Sequence, residues 1–497
     1  MTNSDGVASP GAWTLGPQVG VNAMTASVAA LPPITFSVLG TAGAATRLNL
    51  VSGAGQQDTT HGVLPLQLTV RATDANSNPV AGVAIVFAFT QGSGVLSPAS
   101  PTDSTGQSSV TLTLGDSAGT YVVQATSGTL TGSPIVFSAE ASWPLYHASS
   151  IAMGLTHTCA ITLAQQLNCW GDNQDGDLGD GTATPRLSPT VAGGGLHFTT
   201  VSTRGVFSCG LASGAAYCWG DNSQAGIGDG TSTTRYVPTP VAGGLSFTEI
   251  GAGDDHACAL TAAGDAYCWG TSQLGAVGDG TNANFRTSPV AVAGGLKFTA
   301  LAAGSGHSCG VATGGVAYCW GMNRNGELGD GTETDRNVPT PVAGGLAFVS
   351  LTAGFGETCG VTTSGDAYCW GYNQGGKLGV GDTTDRAAPT KVAGGHTFSQ
   401  LAAGSAEVCG ITTDGSLFCW GEDYATGSGS ASDLSITAPK PVVAPPGVTF
   451  SSVTAGDVGG CALSTSSVAY CWGVNVGGEV GDGTKTYRPS LVPVIPR

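Results

Sequence analysis

At 497 residues the chain has room for roughly two to four domains and a substantial core. Its net charge of −17, from 16 basic against 33 acidic residues with no Lys/Arg cluster, sets up a field that repels a phosphate backbone and argues against nucleic-acid binding. Only 10% of residues are charged, 80 are glycine, and no apolar run approaches the ~18 residues of a membrane helix, which leaves short strands between Gly, Pro, Asn and Asp turns: an all-β chain without a transmembrane segment.

The N-terminal stretch MTNSDGVASPGAW is polar and carries no signal peptide. The first forty residues become readable through those that follow. Over residues 41–142, alternating segments such as Leu66–Ala72, Val83–Phe89, Ser109–Leu114, Thr120–Ala125 and Ile135–Ala139 are separated by turn clusters at Asp74–Pro79 and Asp103–Gly106. Several short strands over about a hundred residues suit an immunoglobulin-like sandwich. The wording DANSNPVAGVAIVFAF, GVLSPASPTDSTGQSSVTLTLGDSAGTYVVQA and SPIVFSAEA resembles the bacterial Ig-like group 1 (Big-1) modules of surface adhesins, which implies a rigid spacer at the cell surface. Residues 1–40 then repeat the second half of that module: Gly6 answers Gly106, Gly16 answers Gly115, and Pro33-Ile34-Thr35-Phe36 answers Pro134-Ile135-Val136-Phe137. Half a sandwich leaves an inner face uncovered, so it is either a piece of a longer chain or a site for strand addition by a neighbouring copy.

Residues 146–497 repeat a unit of about fifty residues seven times, written once as LKFTALAAG, HSCGVAT, GVAYCWGMNRNGELGDGT and DRNVPTPVAGG. A four-stranded unit repeated in this way closes as a β-propeller. All fourteen cysteines fall two per unit: Cys159 and Cys169, Cys209 and Cys218, Cys258 and Cys268, Cys309 and Cys319, Cys359 and Cys369, Cys409 and Cys419, Cys461 and Cys471. The spacing lacks the close pairs of zinc ribbons and reads as one disulfide per unit, hence an oxidising, extracellular or cell-surface location. Facing cysteines set the register. Ala259 pairs with Tyr267 and Thr261 with Asp265, leaving Ala262-Ala263-Gly264 as a three-residue loop, and the shorter second unit leaves Ser213-Gly214 as a two-residue turn. The motifs Gly-x-x-His-x-Cys and Cys-Trp-Gly-x-Asn-x-x-Gly-x-Leu-Gly-Asp-Gly-Thr resemble the RCC1-type (regulator of chromosome condensation) repeat, which implies a seven-bladed propeller. The natural closing strand of the ring is Tyr146–Met153, joining the seventh blade.

The chemical motifs inside the repeat read as structural. Gly306-His307-Ser308-Cys309-Gly310 matches a nucleophile elbow in letters, but it opens a strand and the equivalent segments Gly356–Gly360 and Ala406–Gly410 carry no serine. His157, His256 and His307, with Glu357 and Glu407 at the same place in two other units, are spread around a ring and are expected to hydrogen-bond to the adjacent loop. The Gly-Asp-Gly-Thr turns offer one carboxylate each, too few for Ca²⁺ on their own. No catalytic constellation, metal site or cofactor site is expected, and the chain does not read as an enzyme. Departures from the repeat mark candidate protein contacts: Met322, Phe355 and Tyr372 as an apolar patch, and Glu422 and Tyr424 in the divergent sixth unit, Glu422 to Val443.

The expected whole is an all-β protein: a partial sandwich at 1–40, an Ig-like sandwich at 41–142 and a seven-bladed propeller at 146–497. Its expected role is structural or adhesive, with protein partners and head-to-tail self-association into filaments. The alternative is a secreted protein-binding or enzyme-inhibiting propeller.

Overall fold

Alternation of apolar and polar residues drives the first half of the chain into sheets. In the computed structural model, which describes residues 2–430 and 434–496, the chain divides between Pro144 and Leu145 into two compact units. In the first, β1 (Gly20–Ala26) and β2 (Ile34–Gly40) form a separate hairpin. The remaining strands are β3 (Arg47–Ser52), β4 (Gln56–Thr59), β5 (Leu68–Thr73), β6 (Val86–Gln91), β7 (Gly94–Leu96), β8 (Gln107–Val110), β9 (Leu112–Leu114), β10 (Gly119–Thr126) and β11 (Ile135–Ser142). They build one sheet in the order β4-β11-β10-β6, a second in the order β3-β5-β8, and a short β7-β9 ribbon. Leu48, Leu68, Val70 and Val110 from one sheet and Tyr121, Val123, Phe137 and Ala139 from the other share one buried core.

The β1–β2 hairpin has the register of β10–β11. Met24 pairs with Phe36 as Val123 pairs with Phe137, and Gly20 pairs with Gly40 as Gly119 pairs with Ala141. Its inner face is bare. Phe36 is 51% exposed where Phe137 is 1%, and Val38 is 39% exposed where Ala139 is 3%. The hairpin is tied to the sandwich by Asn78, whose side chain donates to the Pro17 carbonyl (2.7 Å) and accepts from the Val19 N–H (3.2 Å).

The second unit is a ring of seven four-stranded antiparallel sheets. Blade 1 comprises β12 (Ala148–Met153), β13 (His157–Thr162), β14 (Leu167–Gly171) and β15 (Arg186–Val191). The same order recurs at 198–240, 249–291, 298–341, 348–391, 398–441 and 450–493. Innermost strands neighbour one another in turn, and that of blade 7 returns to β12. Each sheet is built from four consecutive strands, so Tyr146–Met153 does not join blade 7 as a strand. Ala148–Met153 pairs inside blade 1, while Tyr146 and His147 bridge to blade 7 through Val494, Ala469 and Val468. The linkers before blades 2, 3 and 5 make the equivalent bridge to the blade behind them, so closure reuses the ordinary inter-blade contact.

Within each blade the cysteines face one another at 4.0–4.1 Å between Cα atoms, and each pair is disulfide-bonded. In blade 3 Ala259 pairs with Tyr267, the Thr261 N–H donates to the Asp265 carbonyl, and Gly264 takes φ +79°. In blade 2 Ser213 and Gly214 both have positive φ, which a two-residue hairpin turn requires.

Blades are joined through tryptophan. Each buried indole N–H donates to a backbone carbonyl on the loop of the preceding blade: Trp219 to Asp177, Trp269 to Gly226, Trp320 to Ala276, Trp370 to Glu327, Trp420 to Lys377, Trp472 to Ala425, and Trp170 to Glu479 across the closure, all at 2.8–3.0 Å. The sixth blade lacks the Leu-Gly-Asp-Gly-Thr wording, and its residues 431–433 lie outside the described residues. It still presents the Ala425 carbonyl and a glycine, Gly427, against Trp472.

Trp269→Phe leaves the Gly226 carbonyl without its donor, at a cost of about 1–3 kcal/mol. The Ala276 carbonyl opposite Trp320 also accepts from Ser308 Oγ (3.0 Å) and stays paired when the indole is lost. Trp269→Phe should therefore lower the denaturation midpoint more than Trp320→Phe; equal losses in urea titrations would contradict the carbonyl's role.

Candidate protein-contact face

The innermost strand of each blade ends in a four-residue loop that leads to the second strand, and these loops crown one end of the ring. Six blades place glycine first: Gly154, Gly253, Gly304, Gly354, Gly404 and Gly456. In five of them a Cβ would run into the carbonyl of the next blade's first loop residue, at 2.1–2.8 Å, and in four the fourth residue crowds the same space. A Cβ would come within 3.0 Å of His157 Cε1, 2.7 Å of His256 Cε1, 2.7 Å of His307 Cε1 and 1.9 Å of Glu357 Oε1. Blade 2 carries Phe207 in the fourth place, its ring turned toward Gly226, and there the first residue is Arg204. The Arg204 guanidinium donates through Nε to Asp254 Oδ1 (2.8 Å) and through Nη1 to the carbonyls of Ala353 (3.1 Å) and Ala403 (3.4 Å). It reaches from blade 2 to blades 3, 5 and 6, across one end of a central cavity of about 270 Å³ lined by innermost strands. Partial burial opposes ionisation of Asp254, but the Arg204 charge beside it prevails and holds its carboxyl below the usual range.

The histidines bond to the next blade and not to their own loop. His157 Nε2 meets Ser208 Oγ (2.7 Å), His256 meets Ser308 (2.8 Å) and His307 meets Thr358 (2.9 Å). Each hydroxyl donates in turn to the carbonyl that receives the tryptophan: Asp177, Ala276 and Glu327. With the hydroxyl proton so committed, Nε2 is the donor, and burial with Nδ1 unpaired favours the neutral imidazole. Burial pushes His157 and His256 down to about 4 and His307 to about 3. Ser308, the letter of the apparent nucleophile elbow, is a fully buried member of this relay.

Where the next blade offers no hydroxyl, histidine is absent. Phe207 precedes Ala257, Glu357 precedes Val408, and Glu407 precedes Gly460. Glu357 accepts instead from Lys377 Nζ (2.9 Å), a buried lysine that also donates to the Ser405 carbonyl (2.9 Å). Glu407 is fully buried with both carboxyl oxygens unpaired, and burial, then the Asp457 and Glu357 carboxylates, push it well above the usual range.

Phe355 and Tyr372 meet over that lysine, with Nζ 5.8 Å and 4.9 Å from their ring centroids, and Phe355 is 50% exposed. Met322 lies beside Gly306 of its own blade, Glu422 reaches back against Gly375 of blade 5, and the Tyr424 carbonyl accepts from the Tyr487 hydroxyl (2.7 Å). The sequence signal for Arg204, a side chain where six units carry glycine, was present in the repeat but is visible only when the units are aligned on this loop.

The Asp-Gly turns use up their own carboxylates. Asp180 Oδ1 accepts from the Thr182 N–H and hydroxyl, and Oδ2 pairs with Arg186 (2.8 Å). Asp229–Arg235, Asp279–Arg286, Asp330–Arg336 and Asp482–Arg488 repeat the arrangement. Among the described residues no group of three His, Cys, Asp or Glu side chains is placed to hold a metal ion.

Residues 54–138 match the bacterial Ig-like domain (group 1). Residues 148–177, 213–260, 263–311, 314–359 and 364–410 match the regulator of chromosome condensation (RCC1) repeat. No curated protein matches the sequence. The human protein WBSCR16 is similar in structure, with a TM-score of 0.58 and 21% identity over 67% of this chain and 90% of that one. Prp20p of Saccharomyces cerevisiae, whose structure was reported together with its binding to Gsp1p and histones, gives 0.60 and 20% over 71% of this chain and 88% of that one.

The buried histidines make stability depend on pH. Their folded values lie below the ordinary ~6.5, so their contribution is complete above that value and is lost as pH falls toward 4, by up to about 1.4 kcal/mol per pH unit for each. His157→Gln should flatten the decline in melting temperature between pH 6.5 and pH 4. An unchanged slope would show that His157 is not buried in its neutral form.

Proposed function

The chain joins a bacterial Ig-like domain of group 1 to RCC1 repeats, and we propose that it works as an extracellular or cell-surface structural and adhesive protein whose Ig-like part carries a disulfide-stapled propeller. The disulfides favour an oxidising compartment: one buried bond in every blade gives the ring a stability that a reducing cytosol would remove. Each closes about ten residues, worth ~2.5–3 kcal/mol in chain entropy. The observation that carries self-association is the bare inner face of the β1–β2 hairpin, equivalent to positions that are core in the complete sandwich.

Head-to-tail filament growth by strand donation meets an obstacle in this geometry. Strands β3 to β11 are already paired within their own sandwich, so a neighbouring copy has no spare strand among the described residues. What it has free is its own β1–β2 hairpin. Neither strand carries a charge, GVNAMTA against ITFSVLG, so two copies meet there without bringing like charges together despite a net charge of −17 each. Two such faces packed together rebuild a two-layer sandwich, and the pairing closes as a dimer. A second role, binding a separate protein through Phe355 and Tyr372, is favoured by the half-exposed Phe355 ring.

Sedimentation of the full chain at micromolar concentration should give a dimer. Phe36→Asp with Val38→Asp should return it to a monomer with the propeller's disulfides and melting transition intact. A wild-type monomer, or a dimer that survives both substitutions, removes this mode of association.

A further inference from the structure

The crown of the propeller carries a row of carboxylates across blades 1 to 3, of which only Asp254 is paired with a basic side chain among the described residues. Asp172, Asp175 and Asp177 belong to blade 1, Asp221 to blade 2, and Asp254 and Asp255 to blade 3. Arg204 engages Asp254 alone; among the described residues no Lys or Arg forms an ion pair with the other five. Asp172 accepts from the Asn173 N–H (2.8 Å) and Asp221 holds Ser223 (2.7 Å), whereas Asp175 and Asp255 stand exposed.

Asp177 differs from the rest. It is 2% exposed, yet its Oδ1 has no hydrogen-bond partner. That oxygen lies 3.1 Å from the point where Gly220 would carry a Cβ, so it is aimed into the junction of blades 1 and 2, beside Asp221. Its backbone is pinned at that junction, because its carbonyl receives the Trp219 indole (2.9 Å). Among the equivalent positions only Glu479 shares a buried, unpaired carboxyl oxygen, Oε1, and its Oε2 still accepts a backbone N–H. Gly226, Ala276 and Ala425 have no polar side chain, and Lys377 pairs with Glu357. Glu327 and Glu479 are one methylene longer and curl back to accept from the N–H two residues earlier, Asn325 (2.8 Å) and Gly477 (2.7 Å). Burial, and then Asp175, Asp172 and Asp221, push the Asp177 carboxyl up to about 8. An acid kept dry beside like charges destabilises the fold until a cation comes to it.

The carboxylates are too dispersed to share a bare metal ion. Their spacing over three blades suits cations strung along a polypeptide. We propose that Asp172, Asp175, Asp177, Asp221 and Asp255 form a docking surface for a Lys/Arg-bearing segment of a partner protein, with one ammonium or guanidinium group entering the junction of blades 1 and 2 to meet Asp177 Oδ1.

Calorimetric titration of the full chain with a penta-lysine peptide at low salt tests this. Saturable binding is expected, and Asp175→Asn with Asp221→Asn should weaken it about tenfold, ~1.4 kcal/mol. Asp5→Asn with Glu333→Gln removes the same charge from exposed positions elsewhere and should leave affinity unchanged. Asp177→Asn should weaken binding while raising the melting temperature at pH 8, opposite signs that a purely structural aspartate would not give. Absence of binding, or equal loss in the two double variants, overturns the proposal, as does lower stability in Asp177→Asn.

Discussion

The bond from a tryptophan N–H to the carbonyl of the preceding blade is the constraint on which the propeller rests. It explains why the repeat is worded as it is. The acceptor loop must be held still, and Asn173 does this in blade 1, accepting from the Leu178 N–H and donating to Asp180, Thr182 and Thr184. The first glycine of each Gly-Asp-Gly-Thr turn stands where the next indole lies; a Cβ on Gly228, Gly278 or Gly481 would come within 2.4–2.5 Å of it. All three also have positive φ, so both the close approach and the backbone demand glycine. The second carbonyl lone pair takes a Ser or Thr hydroxyl where one is present, and in blades 1, 3 and 4 a histidine bonds that hydroxyl; at the closure Thr158 faces Gly459 instead. Cys, Trp, Gly and His are therefore parts of one inter-blade contact, with the disulfide fixing the hairpin that presents it.

Much of this was legible in the sequence. Two cysteines at ten residues' separation define a hairpin register by counting, and the phrase shared by residues 1–40 and 103–142 defines a hairpin that the structure forms with the same pairing. The histidine contacts were not legible within one repeat, because their partners lie about fifty residues away. Comparing each unit with the next makes them visible: His157 with Ser208, His256 with Ser308, His307 with Thr358, and no histidine where alanine, valine or glycine follows. The way the ring closes is hidden for a related reason. Many propellers close by sharing a sheet between chain ends, but here every blade is complete and Tyr146 needs only to make the contact that any linker makes.

The informative positions on the crown are those where the inter-blade contact is relaxed. Phe207 replaces histidine and turns its ring toward Gly226, and in that blade Arg204 stands over the mouth of the channel. Glu357 replaces histidine opposite Val408 and draws a lysine into the interior, which in turn seats Phe355 and Tyr372. Both substitutions stand opposite a neighbouring strand that offers no hydroxyl, Ala257 and Val408.

Asp177 breaks that pattern, and for this reason it carries the most weight. Its blade retains the full relay, with His157, Ser208 and Trp219 all in place, so no structural vacancy called for a charged side chain there. Glycine and alanine serve the same backbone role in blades 2, 3 and 6 without an unpaired buried oxygen. An aspartate that adds nothing to the contact, sits among like charges and points into a junction between blades is accounted for by something that arrives from outside the fold. The carboxylates around it give that visitor its sign.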